Sequence, residues 1–318
     1  MGLFVFLYVQ PEQIPARKWR QTFDESLELL QNYPIPLVGL AWEETKHGKR
    51  PMFSPVRLRK DKENGGYWRV EGDAMSGEHG ETFSLTRGLC DKSTKVENSD
   101  LRDVIWIDKE NLDCNSGNGK VIFDSKTQEY PYHYAMLAVG MLVESRFPGR
   151  AFVTGDITLE QAQHVINWAN GVLKTPLSLP VIMDEERLWG RLIKAYDGDM
   201  DSVVNRFSTL YRGACSDLEA LVKCRVAPEF LERFVEQRLD AFSSLDQIGA
   251  MRVVVPLFET LGLDVTLDLL GRINQRRKKG KAFDFPGLAE SLASKFITFS
   301  AEERAPILDL HPEHSSLM

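Results

Sequence analysis

The 318-residue sequence lacks most of the patterns that identify an enzyme, a nucleotide-binding protein or a zinc protein. Its four cysteines include no Cys-x-x-Cys pair and no nearby histidine cluster, which removes the common structural zinc patterns. A dinucleotide-binding glycine fingerprint, a phosphate-binding Gly-Lys-Ser/Thr loop and a Gly-x-Ser-x-Gly elbow are also absent. We therefore expect no metal, no cofactor and no catalytic residues, and we expect the cysteines to be reduced thiols in the cytoplasm.

The sequence also lacks an excess of basic residues and a long apolar run. With 39 Lys and Arg against 46 Asp and Glu, the formal net charge is -7. Nucleic acid and anionic membrane surfaces are therefore disfavoured as partners, whereas a cationic partner would be attracted. Residues 2–9 form no signal peptide, and residues 135–143 are about half as long as a membrane span, so we expect a soluble, cytoplasmic protein without a membrane segment.

Regular patterning does extend over most of the chain. The length exceeds the size at which one hydrophobic core usually keeps growing, so we expect two packed units. The sequence predicts an α+β fold in which an N-terminal, mostly antiparallel sheet with a few helices covers residues 1–175. An all-α C-terminal region covers residues 181–318, and a linker lies near 175–180.

Residue patterns also predict three individual elements. The helix that begins near Pro131 is apolar almost all the way round from 135 to 143, which predicts burial between layers. Residues 104–107 are predicted as a strand, and residues 285–296 as a helix.

The turn Gly155-Asp156 precedes a helix and could be either a binding site or architecture. Thr158 and Gln161 have the spacing of a capping box, which explains the helix start without a ligand. An anion on the helix N-terminus is the functional alternative, but Asp156 would repel phosphate. The sequence favours architecture.

Six side chains near the predicted seam between the two domains form a candidate pocket. His133 could act as a general base or bind a ring-bearing ligand, and the pair His164 and Trp168 shares one helix face because the two are four residues apart. Aromatic packing explains the same pattern and is favoured. The candidate pocket residues are Tyr132, His133, Glu144, Asp156, His164 and Trp168.

Two polar segments also invite a functional interpretation. Residues 72–81 contain a serine, a histidine and carboxylates, but the strands on either side favour a hairpin loop. A basic cluster near the end of a predicted helix could bind an acidic partner or phosphates, although helix capping preferences produce the same pattern. The candidate partner-binding residues are Arg272, Arg276, Arg277, Lys278 and Lys279.

The absence of strong catalytic signals in a well-patterned acidic chain favours a protein–protein interaction module without catalytic activity. Its partner would be another protein, most readily a cationic one. One concrete form is a bacterial immunity protein that binds and neutralises a cationic toxin. The alternative is a small-molecule enzyme or ligand-binding protein whose site lies at the seam between the two domains.

Overall fold

The computed structural model confirms the predicted fold class. Antiparallel sheets occupy the N-terminal half and several helices the C-terminal half of an α+β fold. The structure describes residues 2–89, 103–106, 119–245, 247–277 and 283.

Residue contacts divide the chain into two compact units. The first contains the described residues up to Asp197 together with Leu210–Ala214. The second contains Gly198–Thr209 and the described residues from Cys215 onward.

All pairings between the described strands of the first unit are antiparallel, and these strands form two sheets. The three-stranded sheet has the order β6-β1-β7, and the four-stranded sheet has the order β3-β2-β4-β5. The strands are β1 (Phe4–Val9), β2 (Leu37–Thr45), β3 (Gly48–Pro55), β4 (Tyr67–Asp73), β5 (His79–Thr86), β6 (Lys120–Lys126) and β7 (Ala151–Gly155).

All described elements after residue 184 are α-helices, as the periodicity of the C-terminal region predicts. The helices are α1 (Ala16–Gln31), α2 (Tyr132–Arg146), α3 (Leu159–Ala169), α4 (Glu185–Ala195), α5 (Met200–Leu210), α6 (Asp217–Lys223), α7 (Pro228–Leu239), α8 (Ile248–Leu261) and α9 (Leu263–Arg276).

Helix α2 is the centre of the first unit, and its predicted burial is confirmed. Residues 135–143 are buried without interruption, and α2 contacts α1, α3, β1 and β7. Gly140 permits the approach to β7, since a β-carbon there would lie 2.6 Å from Val153 Cγ2. Because each buried aliphatic side chain contributes about 1.5–3 kcal/mol, α2 is a major source of stability.

The strand predicted at residues 104–107 is wrong. Val104–Trp106 form one 3-10 turn, and residue 107 lies outside the described residues. Asp103 Oδ1 accepts the Ile105 N–H at 2.9 Å, so a local side-chain cap replaces strand pairing. The helix predicted at 285–296 also lies outside the described residues.

Residues 175–180, where a linker is predicted, lie within the first compact unit. The Arg146 guanidinium donates to the Thr175 carbonyl at 2.6 Å, and the Ser178 N–H donates to Ser145 Oγ at 3.0 Å. The division into domains at 175–180 stays a prediction, because residue contacts define compact units and not the segments that fold alone.

The described helices of the second unit are amphipathic, and each buries its apolar side within the unit. Gly262, at φ 76°, ends α8 and begins α9, and this backbone conformation favours glycine. Side chains with zero exposure come from each of the five described helices of this unit: Phe207, Leu221, Val235, Val254 and Leu270.

Candidate functional site

The Gly155-Asp156 turn joins β7 to β1 in the structure. Gly155 has φ 133°, and a β-carbon there would overlap the Phe4 carbonyl oxygen. The Asp156 N–H donates to the Phe4 carbonyl, and Asp156 Oδ2 accepts the Phe4 N–H, both at 3.0 Å. The predicted capping box is present, with the Gln161 N–H 3.2 Å from Thr158 Oγ1. These contacts give the turn an architectural role.

His133 is buried at the start of α2. Its Nδ1 lies 2.9 Å from Thr127 Oγ1, and its Nε2 makes no hydrogen bond of normal geometry to a described residue. Burial lowers the pKa of the imidazole below its ordinary 6.5, while the Gln161 side chain and the Asp156 carboxylate act in the opposite direction. Burial therefore favours the neutral form of the ring.

Aromatic contacts connect His133 with the other predicted pocket residues on α3. The Tyr134 ring lies 5.9 Å from the His133 ring and 5.1 Å from the His164 ring, both edge-on. Trp168 contacts Tyr33 at 5.1 Å instead. The structure thus brings His133 and His164 together through Tyr134. Aromatic packing, which the sequence analysis favours at this position, is sufficient to explain these contacts.

Tyr132 and Glu144 belong to other parts of the first unit. Tyr132 packs edge-on against Phe83 of β5 at 6.0 Å, and burial raises the pKa of its hydroxyl. Glu144 is at the opposite end of α2 and 3% exposed. Its carboxylate accepts the N–H groups of Val153 at 2.8 Å and Val181 at 2.6 Å. The six predicted residues therefore do not line one site.

Glu144 lies at a cavity of about 570 Å³, which we call the α4 cleft. Burial raises the pKa of Glu144, and the nearby Arg191 guanidinium acts against this rise. Sequence reasoning missed the cleft, although α4 carries a signal for it. Residues 186, 187, 190, 191 and 194 recur at helical spacing and form one charged stripe around Gly190.

The predicted basic cluster on α9 is engaged within the second unit. Arg272 Nε lies 2.8 Å from Glu232, and Arg276 Nη2 lies 2.9 Å from Glu236. Burial raises the pKa of Glu232, but hydrogen bonds from the two arginines outweigh burial and hold the pKa below its ordinary value.

Arg277, the last described residue of the cluster, adds little accessible charge. The Arg277 side chain is 3% exposed and lies 4.0 Å over the Phe283 ring. Lys278 and Lys279 lie outside the described residues. Partner binding by this cluster stays a prediction.

The turn between β4 and β5 falls in residues 72–81, which the sequence analysis interprets as a hairpin loop and not as a binding surface. Asp73 is 1% exposed, and its Oδ1 accepts the N–H groups of Met75 at 3.0 Å and Ser76 at 2.8 Å. Its Oδ2 accepts the Tyr132 N–H at 3.1 Å, which attaches the turn to α2. An aspartate that starts a turn is the sequence signal for this arrangement.

Exposed side chains surround this turn. Met75 is 74% exposed, and Phe53 of β3 is 48% exposed with its ring 6.2 Å from the His79 ring. Glu78 and Glu81 add exposed carboxylates. We call the set Phe53, Met75, Glu78, His79 and Glu81 the Met75 surface.

Within the described ranges, no group of three or more His, Cys, Asp or Glu side chains is placed to hold a metal ion. In the same part of the chain, no helix combines the length and apolarity needed to cross a membrane. Comparisons with protein-family models, curated proteins and solved structures found no match for this chain.

Proposed function

We propose that the protein is a protein–protein interaction module without catalytic activity, which binds a basic protein through the Met75 surface. The observation that carries this proposal is the exposed Met75 on a turn that the buried Asp73 holds in place. A fixed turn has little conformational entropy left to lose on association. Full burial of a methionine side chain contributes about 1.5–3 kcal/mol, and its flexible thioether adapts to the partner's surface.

Charge supports a basic partner. Glu78 and Glu81 place carboxylates beside the apolar side chains, and the whole chain has a formal net charge of -7. An apolar centre with a charged rim is the common anatomy of protein interfaces. Long-range attraction would accelerate the encounter with a cationic partner.

The most specific form of this proposal is a bacterial immunity protein that acts in the cytoplasm. It would bind a cationic toxin and neutralise it by covering the toxin's active site. The acidic rim of the Met75 surface suits such a target, because toxins that act on nucleic acid need basic side chains to hold phosphates.

The test compares the tagged wild-type protein with Met75→Ser and Ile248→Ser. Each protein is used in a pull-down from native lysate, followed by mass spectrometry and by titration of the purified partner. The wild-type protein should retain one stoichiometric protein. Met75→Ser should weaken its affinity about tenfold, since a centrally buried apolar side chain contributes roughly 1–2 kcal/mol to an interface.

Ile248→Ser is the matched control, because Ile248 is 73% exposed and lies in the second unit. It should leave the affinity unchanged. Equal affinities for the wild-type protein and Met75→Ser would refute the proposed surface. The absence of any stoichiometric partner would refute the interaction function.

A small-molecule function is the alternative, and His133 is the observation that favours it. A neutral, buried imidazole with an unpartnered nitrogen is available for a ligand or a proton transfer. Native mass spectrometry of the purified protein should then detect a retained small molecule that His133→Ala loses. Unchanged retention in that variant would remove His133 from the site.

A further inference from the structure

The α4 cleft lies wholly within the first compact unit, and its lining comes from the end of α2, the residues before β7 and one face of α4. Its volume of about 570 Å³ falls in the range of roughly 300–1,000 Å³ that is usual for small-molecule sites. The cleft is therefore large enough for a small organic ligand.

Cationic side chains outnumber carboxylates in the lining, although the chain as a whole is acidic. Four cations stand against three carboxylates, and one carboxylate, Asp103, is already bound by Arg191 at 2.7 and 2.9 Å. Arg150 and Lys194 are exposed and form no ion pair with a described residue. Arg187 donates to the Leu179 carbonyl at 2.9 Å and lies 3.8 Å from Asp184. Arg150 and Lys194 therefore remain without an ion-pair partner among the described residues, and Arg187 adds a guanidinium that is only partly engaged.

Two glycines leave open space in the same lining. Gly149 has φ 75°, and Gly190 lies in the interior of α4. A β-carbon at either position would have no heavy atom within 4 Å. Helix interiors disfavour glycine, and no neighbouring atom requires it at 190, so this glycine keeps the cleft open at a cost to the helix.

Glu144 fixes the buried part of the lining. Its two carboxylate oxygens hold the N–H groups of Val153 and Val181, which joins β7 to the segment before α4. Both oxygens of Glu144 are thus occupied by backbone N–H groups, and its carboxylate is buried rather than presented to the cleft.

We propose that the α4 cleft binds a small organic anion. Its phosphate or carboxylate group contacts Arg150, Arg187 and Lys194, and its uncharged part lies over Gly149 and Gly190. Charge-assisted hydrogen bonds to several cationic side chains are the usual way in which proteins hold such groups. This binding site is independent of the Met75 surface and does not depend on the proposed function.

The experiment titrates pyrophosphate and succinate into the wild-type protein and records the melting temperature, with NaCl holding the ionic strength constant. At about 10 mM, a ligand with a Kd of about 1 mM occupies roughly nine-tenths of the sites, and its affinity for the folded state raises the melting temperature. A saturable rise with pyrophosphate alone identifies a phosphate site, and a rise with succinate alone identifies a carboxylate site. No saturable rise with either probe overturns the proposal.

Three variants locate the binding. Lys194→Gln should weaken the apparent affinity about tenfold, as expected for the loss of one charge-assisted hydrogen bond. Lys174→Gln is the matched control, since Lys174 is an exposed lysine that does not line the cleft, and it should bind like the wild type.

Gly190→Leu should fill the cleft and abolish the shift while the ligand-free melting temperature stays the same or rises, because leucine favours the helix. Unchanged binding in both Gly190→Leu and Lys194→Gln would overturn the proposed location.

Discussion

At the scale of single residues, two buried carboxylates hold separate segments of the first unit together. Asp73 accepts three backbone N–H groups, from its own turn and from the start of α2. Glu144 accepts two, from β7 and from residue 181. A buried N–H group without an acceptor costs about 1–3 kcal/mol, so each carboxylate stabilises more than its own position.

Asp73→Ala should therefore destabilise the protein by about 2–5 kcal/mol, since three N–H groups lose their acceptor and part of this loss is compensated by water. Urea unfolding of the two proteins measures the difference. Asp61→Ala is the control, because Asp61 also accepts hydrogen bonds in a turn but is only half-buried, and it should cost far less. Equal losses for the two variants would contradict the role given to Asp73.

His133 should make the free energy of unfolding depend on pH. Because burial lowers its pKa in the folded state, the unfolded chain takes up a proton first as the pH falls below 6.5. The contribution of His133 is complete above pH 6.5 and decreases from there towards the lower pKa of the folded state.

Urea unfolding at several pH values, compared with His133→Gln, isolates this contribution. The wild-type protein should lose stability relative to the variant as the pH falls below 6.5. A difference that stays constant over this range would show that His133 does not titrate with a lowered pKa.

At the scale of elements, the two helix-interior glycines of the first unit serve opposite purposes. Gly140 of α2 allows close contact with β7, whereas Gly190 of α4 faces open space. The intrinsic helix preference is the same at both positions, so only the neighbouring atoms distinguish them.

Alanine substitution should consequently have opposite effects at these positions. Gly140→Ala would put a β-carbon 2.6 Å from Val153 Cγ2, and since valine is stiff at χ1, we expect a loss of about 1–3 kcal/mol. Gly190→Ala should gain about 0.5–1 kcal/mol from helix preference alone. Thermal unfolding of both variants checks the signs, and a gain at position 140 would contradict the described contact between α2 and β7.

Elements with a clear residue pattern are predictable from the sequence, whereas elements of a few residues without such a pattern are not. The capping box of α3 and the burial of α2 follow from spacing and apolarity alone. Residues 104–106 are apolar and largely β-branched like a strand, yet the cap at Asp103 turns them into a 3-10 turn. Helix α6 is only seven residues long, and its pattern is too short to predict it.

At the scale of the whole molecule, the formal net charge of -7 governs how the protein meets a partner. Electrostatic attraction acts mainly on the association rate, whereas contacts in the formed complex set the dissociation rate. For the proposed basic partner, the association rate constant therefore reports the effect of charge, and the dissociation rate constant reports the effect of the contacts in the complex.

The association rate constant should fall about tenfold or more between roughly 0.05 and 0.3 M salt, while the dissociation rate constant changes little. Stopped-flow or surface-based kinetics at several salt concentrations measures both constants. Met75→Ser should show the reverse pattern, with faster dissociation and an unchanged salt dependence of association. A salt-independent association rate would mean that the partner is not basic.

Composition and periodicity by themselves determined the α+β class, the acidic charge and the helical C-terminal region, since these depend on local sequence and on sums over the chain. Only the tertiary structure decided that β1 pairs with β6 and β7 in one sheet while four other strands form a second. It also paired Arg272 and Arg276 with α7, and it attached the turn between β4 and β5 to α2 through Asp73. These arrangements depend on contacts between residues far apart in the chain, and spacing along a sequence contains no information about which distant segments meet.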